Sequence, residues 1–150
     1  MKLRFLVSLA ACVSAFLVTF IAQATPAPQR HPAYLRALSD LRLARAHLVR
    51  AEAGGVRQHG KDAIDQIDKA IAEIKNASID DGKDLSNHPP IDTHLGQVGH
   101  LQKALELLDR AHVDISAEED NPAAVGLQQR AMGHIDKAHK HVQEAIDSLQ

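Results

Sequence analysis

Ala63-Ile-Asp-Gln-Ile-Asp-Lys-Ala-Ile-Ala-Glu-Ile74 decides the fold. Its isoleucines, Ile64, Ile67, Ile71 and Ile74, fall at steps of three, four and three. That spacing puts all four on one face of a helix and leaves the aspartates, Gln66 and Lys69 for the other. The stretch also has a counterpart. Ala63 to Ala70 matches Ala131-Met-Gly-His-Ile-Asp-Lys-Ala138 at an offset of 68 residues. Upstream, Ala37-Leu-Ser-Asp-Leu-Arg-Leu-Ala44 matches Ala104-Leu-Glu-Leu-Leu-Asp-Arg-Ala111 at an offset of 67. Nearly equal offsets in the same order read as a helical hairpin present twice, an internal repeat.

Outward from that stretch the sequence predicts four helices. The first opens at Pro32, a residue suited to the first turn, and ends at about residue 53 before Gly54-Gly55. The second covers about 61–77. A connection rich in Asp, Gly, Asn and Pro follows over 78–92. The third starts at Asp92-Thr93 with a seam of Val98, Leu101, Leu105, Leu108, His112 and Ile115. Asn121-Pro122 caps the fourth, whose seam is Met132, Ile135, His139, Val142, Ile146 and Leu149. No segment alternates as a strand does. Each helix must hide one apolar stripe, so the expected architecture is all-α: an antiparallel four-helix bundle of two similar hairpins, with a long connection between the second and third helices.

Before that domain, 32–150, the sequence predicts a removable leader. Lys2 and Arg4 precede an uncharged apolar run over residues 5–21, and Ala22-Gln23-Ala24 offers small residues at the cleavage positions. The expectation is a signal peptide over 1–24 cleaved after Ala24, a tether over 25–31, and a periplasmic or secreted protein with no membrane attachment after cleavage. Leu9-Ala10-Ala11-Cys12 resembles a lipoprotein cleavage box, but the apolar run continues well past it. Without Lys2 and Arg4 the formal charge falls from −2 to −4, and the single Cys leaves with the leader. So do all three Phe, leaving Tyr34 as the one aromatic, while all ten His stay.

That composition excludes several functions. No aromatic platform stacks bases or sugars, and no basic stripe follows nucleic acid. No Gly-rich phosphate loop and no haem-attachment motif are present. The serines sit in no nucleophile motif, so the chain does not read as an enzyme. Asp80-Asp81-Gly82-Lys83-Asp84 lacks the alternating carboxylates of a calcium loop and reads as a turn.

Histidine is the remaining signal. No two histidines stand three or four apart, the spacing that chelates along one helix. Asp109-x-x-His112 and Asp136-x-x-His139 have that spacing with a carboxylate. A hairpin turning near residue 119 would level His112 with about residue 126, roughly 20 Å from His139, which keeps the two pairs apart as exposed ion pairs. An up-down-up-down path instead gathers His31, His94, His100, His139 and His141 at one pole. The 78–92 connection, with Asp80, Asp81, Asp84 and His88, would close that pole. His47, His59 and His100 fall off the seams, and His134 and His141 face water.

Three segments carry a resemblance: His31-Pro-Ala-Tyr-Leu-Arg-Ala-Leu-Ser-Asp-Leu-Arg, Asn76-Ala-Ser-Ile-Asp-Asp-Gly-Lys-Asp-Leu-Ser-Asn-His-Pro-Pro and Glu118-Glu-Asp-Asn-Pro. They resemble a group of small exported bacterial helical proteins without an assigned function. The resemblance implies a periplasmic helical protein and transfers no ligand. The distinctive middle segment is expected to pack over the bundle end.

The functional expectation is binding or buffering of a divalent metal ion, Zn, Cu or Ni, by His88, His94 and His139, with His31, His100 or His141 as fourth ligand. The alternative is a pH-responsive protein-interaction or chaperone-like module without a metal. Ten imidazoles would carry the charge from −4 to +6 on acidification. A protein partner is open under either reading.

Overall fold

A computed structural model describes residues 32–52, 56–77, 82–116 and 122–150. The leader and tether, His31, and Asp80 and Asp81 of the turn lie outside the described residues. Among the described residues four helices form: α1 (Pro32–Ala51), α2 (Arg57–Asn76), α3 (Gln97–Ile115) and α4 (Pro122–Asp147). Among the described residues there is no strand. No helix of the described residues is long and apolar enough to cross a membrane.

The helix ends follow local chemistry. Pro32 and Pro122 open α1 and α4 as expected. α2 starts early, at Arg57, and its first turn contains Gly60. A side chain at Gly60 would meet Glu52 Cγ at 3.0 Å, so the glycine lets the end of α1 lie against the start of α2. α3 starts later than expected. Asp92 accepts the backbone N–H of His94 at 2.9 Å in a turn, and the helix is entered from Gly96.

The helices form an antiparallel bundle in which α1 packs most closely on α3 and α2 on α4, with α1·α2 and α3·α4 as the lateral contacts. The path is not the expected up-down-up-down. Arg36 bonds Asp114 and Arg110 bonds Asp40, each at 2.8 Å, while Gln97 Nε2 donates to the Ala51 carbonyl at 3.0 Å. α1 and α3 therefore run in opposite directions. Arg130 bonds Glu73 at 3.0 Å and His134 meets Gln66 at 2.8 Å, so α2 and α4 do too. The order is up, down, down, up, and α3 begins beside the end of α1. The reason is the connection: the chain between α2 and α3 is long enough to cover a 20-residue helix, roughly 30 Å.

That connection is a strap along α1 and not a cover over a pole, which corrects the placement expected from sequence. The Lys83 carbonyl accepts Lys75 Nζ from α2 at 2.7 Å and Arg42 Nη2 from α1 at 3.4 Å. Leu85 packs against the core. Gly82 takes φ +68°, and Asp84 accepts both the N–H and the hydroxyl of Ser86, at 2.9 and 2.7 Å, so the chain turns over the described residues 82–86.

The core is aliphatic and thin. Beside Leu38, Leu41, Leu48, Ile67, Ile71, Leu101, Leu108 and Ile135 stand alanines seven residues apart: Ala37, Ala44 and Ala51; Ala63, Ala70 and Ala77; Ala104 and Ala111; Ala124, Ala131, Ala138 and Ala145. All are buried, and a small residue on every second turn lets antiparallel helices approach closely. These alanines rotate the predicted seams. Leu107 and Leu108 are buried on α3, while Val98 is exposed and His112 and His139 are only half-buried on the flank.

Candidate functional site

The revised path changes which histidines meet. The pole formed by the end of α1, the starts of α2 and α3 and the end of α4 gathers His47, His59, His100 and His141. His59 lies in the first turn of α2, and His141 and Glu144 stand one turn apart near the end of α4. Antiparallel packing of α2 on α4 brings them together. His59 Nδ1 is 3.3 Å and His141 Nδ1 is 3.2 Å from the same oxygen, Glu144 Oε2. The two rings lie 6.4 Å apart between centroids.

Among the described residues these three form the group of His, Cys, Asp or Glu side chains whose ligand atoms all lie within 4.8 Å of one another. The site is half-buried, with side-chain exposures of 41%, 30% and 37% for His59, His141 and Glu144. His59 Nδ1 itself is buried and has no hydrogen-bond partner. Lys140 Nζ approaches the other carboxylate oxygen, Oε1, at 3.8 Å, which leaves Oε2 to the imidazoles. Glu144 also sits in the last turn of α4, where the helix dipole is negative and a cation is favoured. Two imidazoles and one carboxylate are a donor set that Zn²⁺, Cu²⁺ or Ni²⁺ accepts, with a fourth position left for water.

A second pair is fully buried. His47 on α1 and His100 on α3 face each other with Nδ1 atoms 2.9 Å apart, at 3% and 2% exposure. One ring must donate N–H to the lone pair of the other, so the contact holds a single shared proton. Burial lowers the pKa of both rings; the His100, Lys103 and His88 charges add to this at His47, and Arg50 adds at His100, while Asp92 opposes it at both. His134, against Gln66, is lowered by burial too.

The three ligands expected from sequence do not converge. His88 sits on the strap, its Nδ1 against its own neighbour's carbonyl, Pro89 O, at 2.7 Å. It lines a cavity of about 430 Å³ with Arg45 and Val49 of α1. His94 is exposed in the turn before α3. His139 lies on the α3–α4 side, 3.3 Å from Asp109. Of the fourth ligands, His141 belongs to the α2–α4 group and His100 to the buried pair. His59 and His47, read as lying off the seams, supply the partners. His141-x-x-Glu144 was visible as an i, i+3 pair; the approach of His59 needed the strap's course, which no local pattern encodes.

The two Asp-x-x-His pairs also lie elsewhere than their spacing predicts. His112 Nε2 is 3.3 Å from Asp136, and His139 Nε2 is 3.3 Å from Asp109. They interlock across α3 and α4 instead of lying 20 Å apart. α4 has 26 residues against 19 in α3, and its first turns extend past the end of α3. Gln128 is already level with the Ile115 carbonyl, to which it donates at 2.6 Å.

The chain matches no known family model, no curated protein and no solved structure. The site geometry alone therefore carries the functional reading.

Proposed function

We propose that this protein binds a divalent transition-metal ion at the pole where α2 starts and α4 ends, with His59, His141 and Glu144 as ligands. The observation that carries the reading is the meeting of both imidazole nitrogens at one carboxylate oxygen, with His59 Nδ1 buried and unbonded. His59 Nδ1 lies 3.3 Å from Glu144 Oε2 without making a hydrogen bond, and a buried nitrogen left in that state costs free energy that a metal bond relieves. The ligands come from two helices that are remote in sequence, so the ion would pin α2 to α4. The leader-like residues 1–24 support a reading of this activity as lying outside the cytoplasm, and the matched segments of the two hairpins fit descent from one duplicated hairpin.

Calorimetric titration of the purified protein with Zn²⁺, Cu²⁺ and Ni²⁺ tests the reading. Saturable heat and a rise in melting temperature are expected, and both should disappear at this site in His59→Ala and His141→Ala. Binding at 100 times Kd adds about 2.7 kcal/mol of stability. His88→Ala and His94→Ala should leave the titration unchanged. Heat that survives His59→Ala and vanishes in His88→Ala or His94→Ala would overturn the assignment.

A second reading, an acid-responsive interaction protein, is favoured by the buried His47–His100 pair. It requires the α1–α3 packing to loosen between pH 7 and pH 5, with an apolar dye binding as it does.

A further inference from the structure

The open face between α3 and α4 carries a separate set of ligand-type side chains. Asp109 and His112 lie one turn apart on α3, and Asp136 and His139 one turn apart on α4. Because the helices are antiparallel, the pairs cross. Asp109 faces His139 and Asp136 faces His112, each imidazole Nε2 standing 3.3 Å from a carboxylate oxygen. All four line one groove of about 550 Å³ whose floor is Leu108 and Ile135.

We propose that this rectangle binds one divalent ion of the zinc class, His112 and His139 giving nitrogen and Asp109 and Asp136 giving oxygen. Ligand spacing supports this. A tetrahedral ion with bonds of about 2.0–2.2 Å holds its ligand atoms about 3.4 Å apart. Both rungs already have that separation. The other edges run along the helices, and there the ligand atoms do not meet at rest: no three of the four lie within 4.8 Å of one another, so side chains one turn apart must swing together at their tips to close on an ion. All four side chains are at least one-third exposed and free to do so. Charge agrees: two carboxylates and two neutral imidazoles carry −2, matching a dication. Arg110, next to Asp109 on α3, bonds Asp40 of α1 at 2.8 Å. This site shares no ligand with the α2–α4 site and stands or falls without it.

Variants separate the two. With Zn²⁺ followed by calorimetry and Co²⁺ by its visible absorption, the protein should take up two equivalents. His59→Ala/His141→Ala should leave one, with a tetrahedral Co²⁺ spectrum. His112→Ala/His139→Ala in that background should remove it. Asp109→Asn should weaken it by more than the roughly 10–100-fold lost with an outer-shell partner. The exposed positions allow these changes without unfolding, which an unchanged melting temperature without metal verifies. If the groove variants remove one equivalent while His59→Ala/His141→Ala removes none, the groove assignment holds and the α2–α4 site fails. Absence of saturable uptake in His59→Ala/His141→Ala, or uptake in that same background that survives the further loss of His112 and His139, overturns the groove assignment.

Discussion

The α1–α2 and α3–α4 hairpins solve the same packing problem with different surfaces. At matched positions the cores agree: Leu41 and Leu108, and Ile67 and Ile135, are all buried. The flanks diverge. Arg45 and Asp68 form an ion pair at 2.8 Å where His112 and Asp136 stand 3.3 Å apart. Arg42 and Ile71 are buried where Asp109 and His139 are not. The strap accounts for the divergence at Arg42, which it bonds through the Lys83 carbonyl at 3.4 Å. It lies along the first hairpin, with Lys83 bridging Arg42 and Lys75, and nothing comparable among the described residues covers the second. A covered position selects apolar or internally bonded side chains, whereas an uncovered one tolerates titratable, ligand-bearing groups.

The largest expected effect tests that explanation directly. Ile71→Ala should cost about 2–5 kcal/mol, because it empties a packed site. His139→Ala, at the matched position with a side chain 40% exposed, should cost no more than about 0.5 kcal/mol without metal. Urea denaturation of both variants in chelator reads the difference. Equal losses would mean that the two hairpins are covered alike, and the comparison would collapse.

Much of the bundle was legible in sequence because helices announce themselves locally. Pro32, Pro122 and the 3-4-3 spacing of Ile64, Ile67, Ile71 and Ile74 needed no tertiary information. Direction did not. A stripe states that a helix packs, not on which neighbour, and a connection of this length permits either a return or a crossing. The seams were also misread where alanine carries the interface. Val98, His112 and His139 fit the spacing of larger residues, but Ala104, Ala111, Ala131 and Ala138 mark the side that faces inward. The candidate site followed those errors. His59 and His47 became significant only after α3 was placed beside the end of α1.

A smaller contrast, in acid, separates buried imidazoles from exposed ones. Burial depresses His47 and His100 below the ordinary value of about 6.5. Below that pH the unfolded chain takes up protons that the folded chain refuses. Their contribution is therefore complete above about pH 6.5 and is lost as pH falls toward the depressed folded values. Each unit of depression at each site corresponds to about 1.4 kcal/mol. Lys103, His88 and Arg50 push the same way, and Asp92 opposes them. His134 adds a further contribution of the same sign. The urea midpoint should drop between pH 7.5 and pH 5.5, and His100→Gln should flatten that drop. A flat profile in the unsubstituted protein would remove the acid-responsive reading.

The smallest effect makes one hairpin imitate the other. Arg45 and Asp68 are partly exposed, so a double-mutant cycle should give a coupling of about 0.2–1 kcal/mol, reduced by molar salt. His112→Arg would install the equivalent pair with Asp136. Arginine is always charged and cannot ligate a metal, so the substitution exchanges one property for the other. It should add a coupling of the same small size and abolish zinc uptake in the groove. A stability gain with zinc uptake intact would show that His112 is not a ligand. Loss of uptake with the gain would show that a permanent cation and a metal ligand are alternative uses of one structural position, and that the second hairpin uses it for the metal.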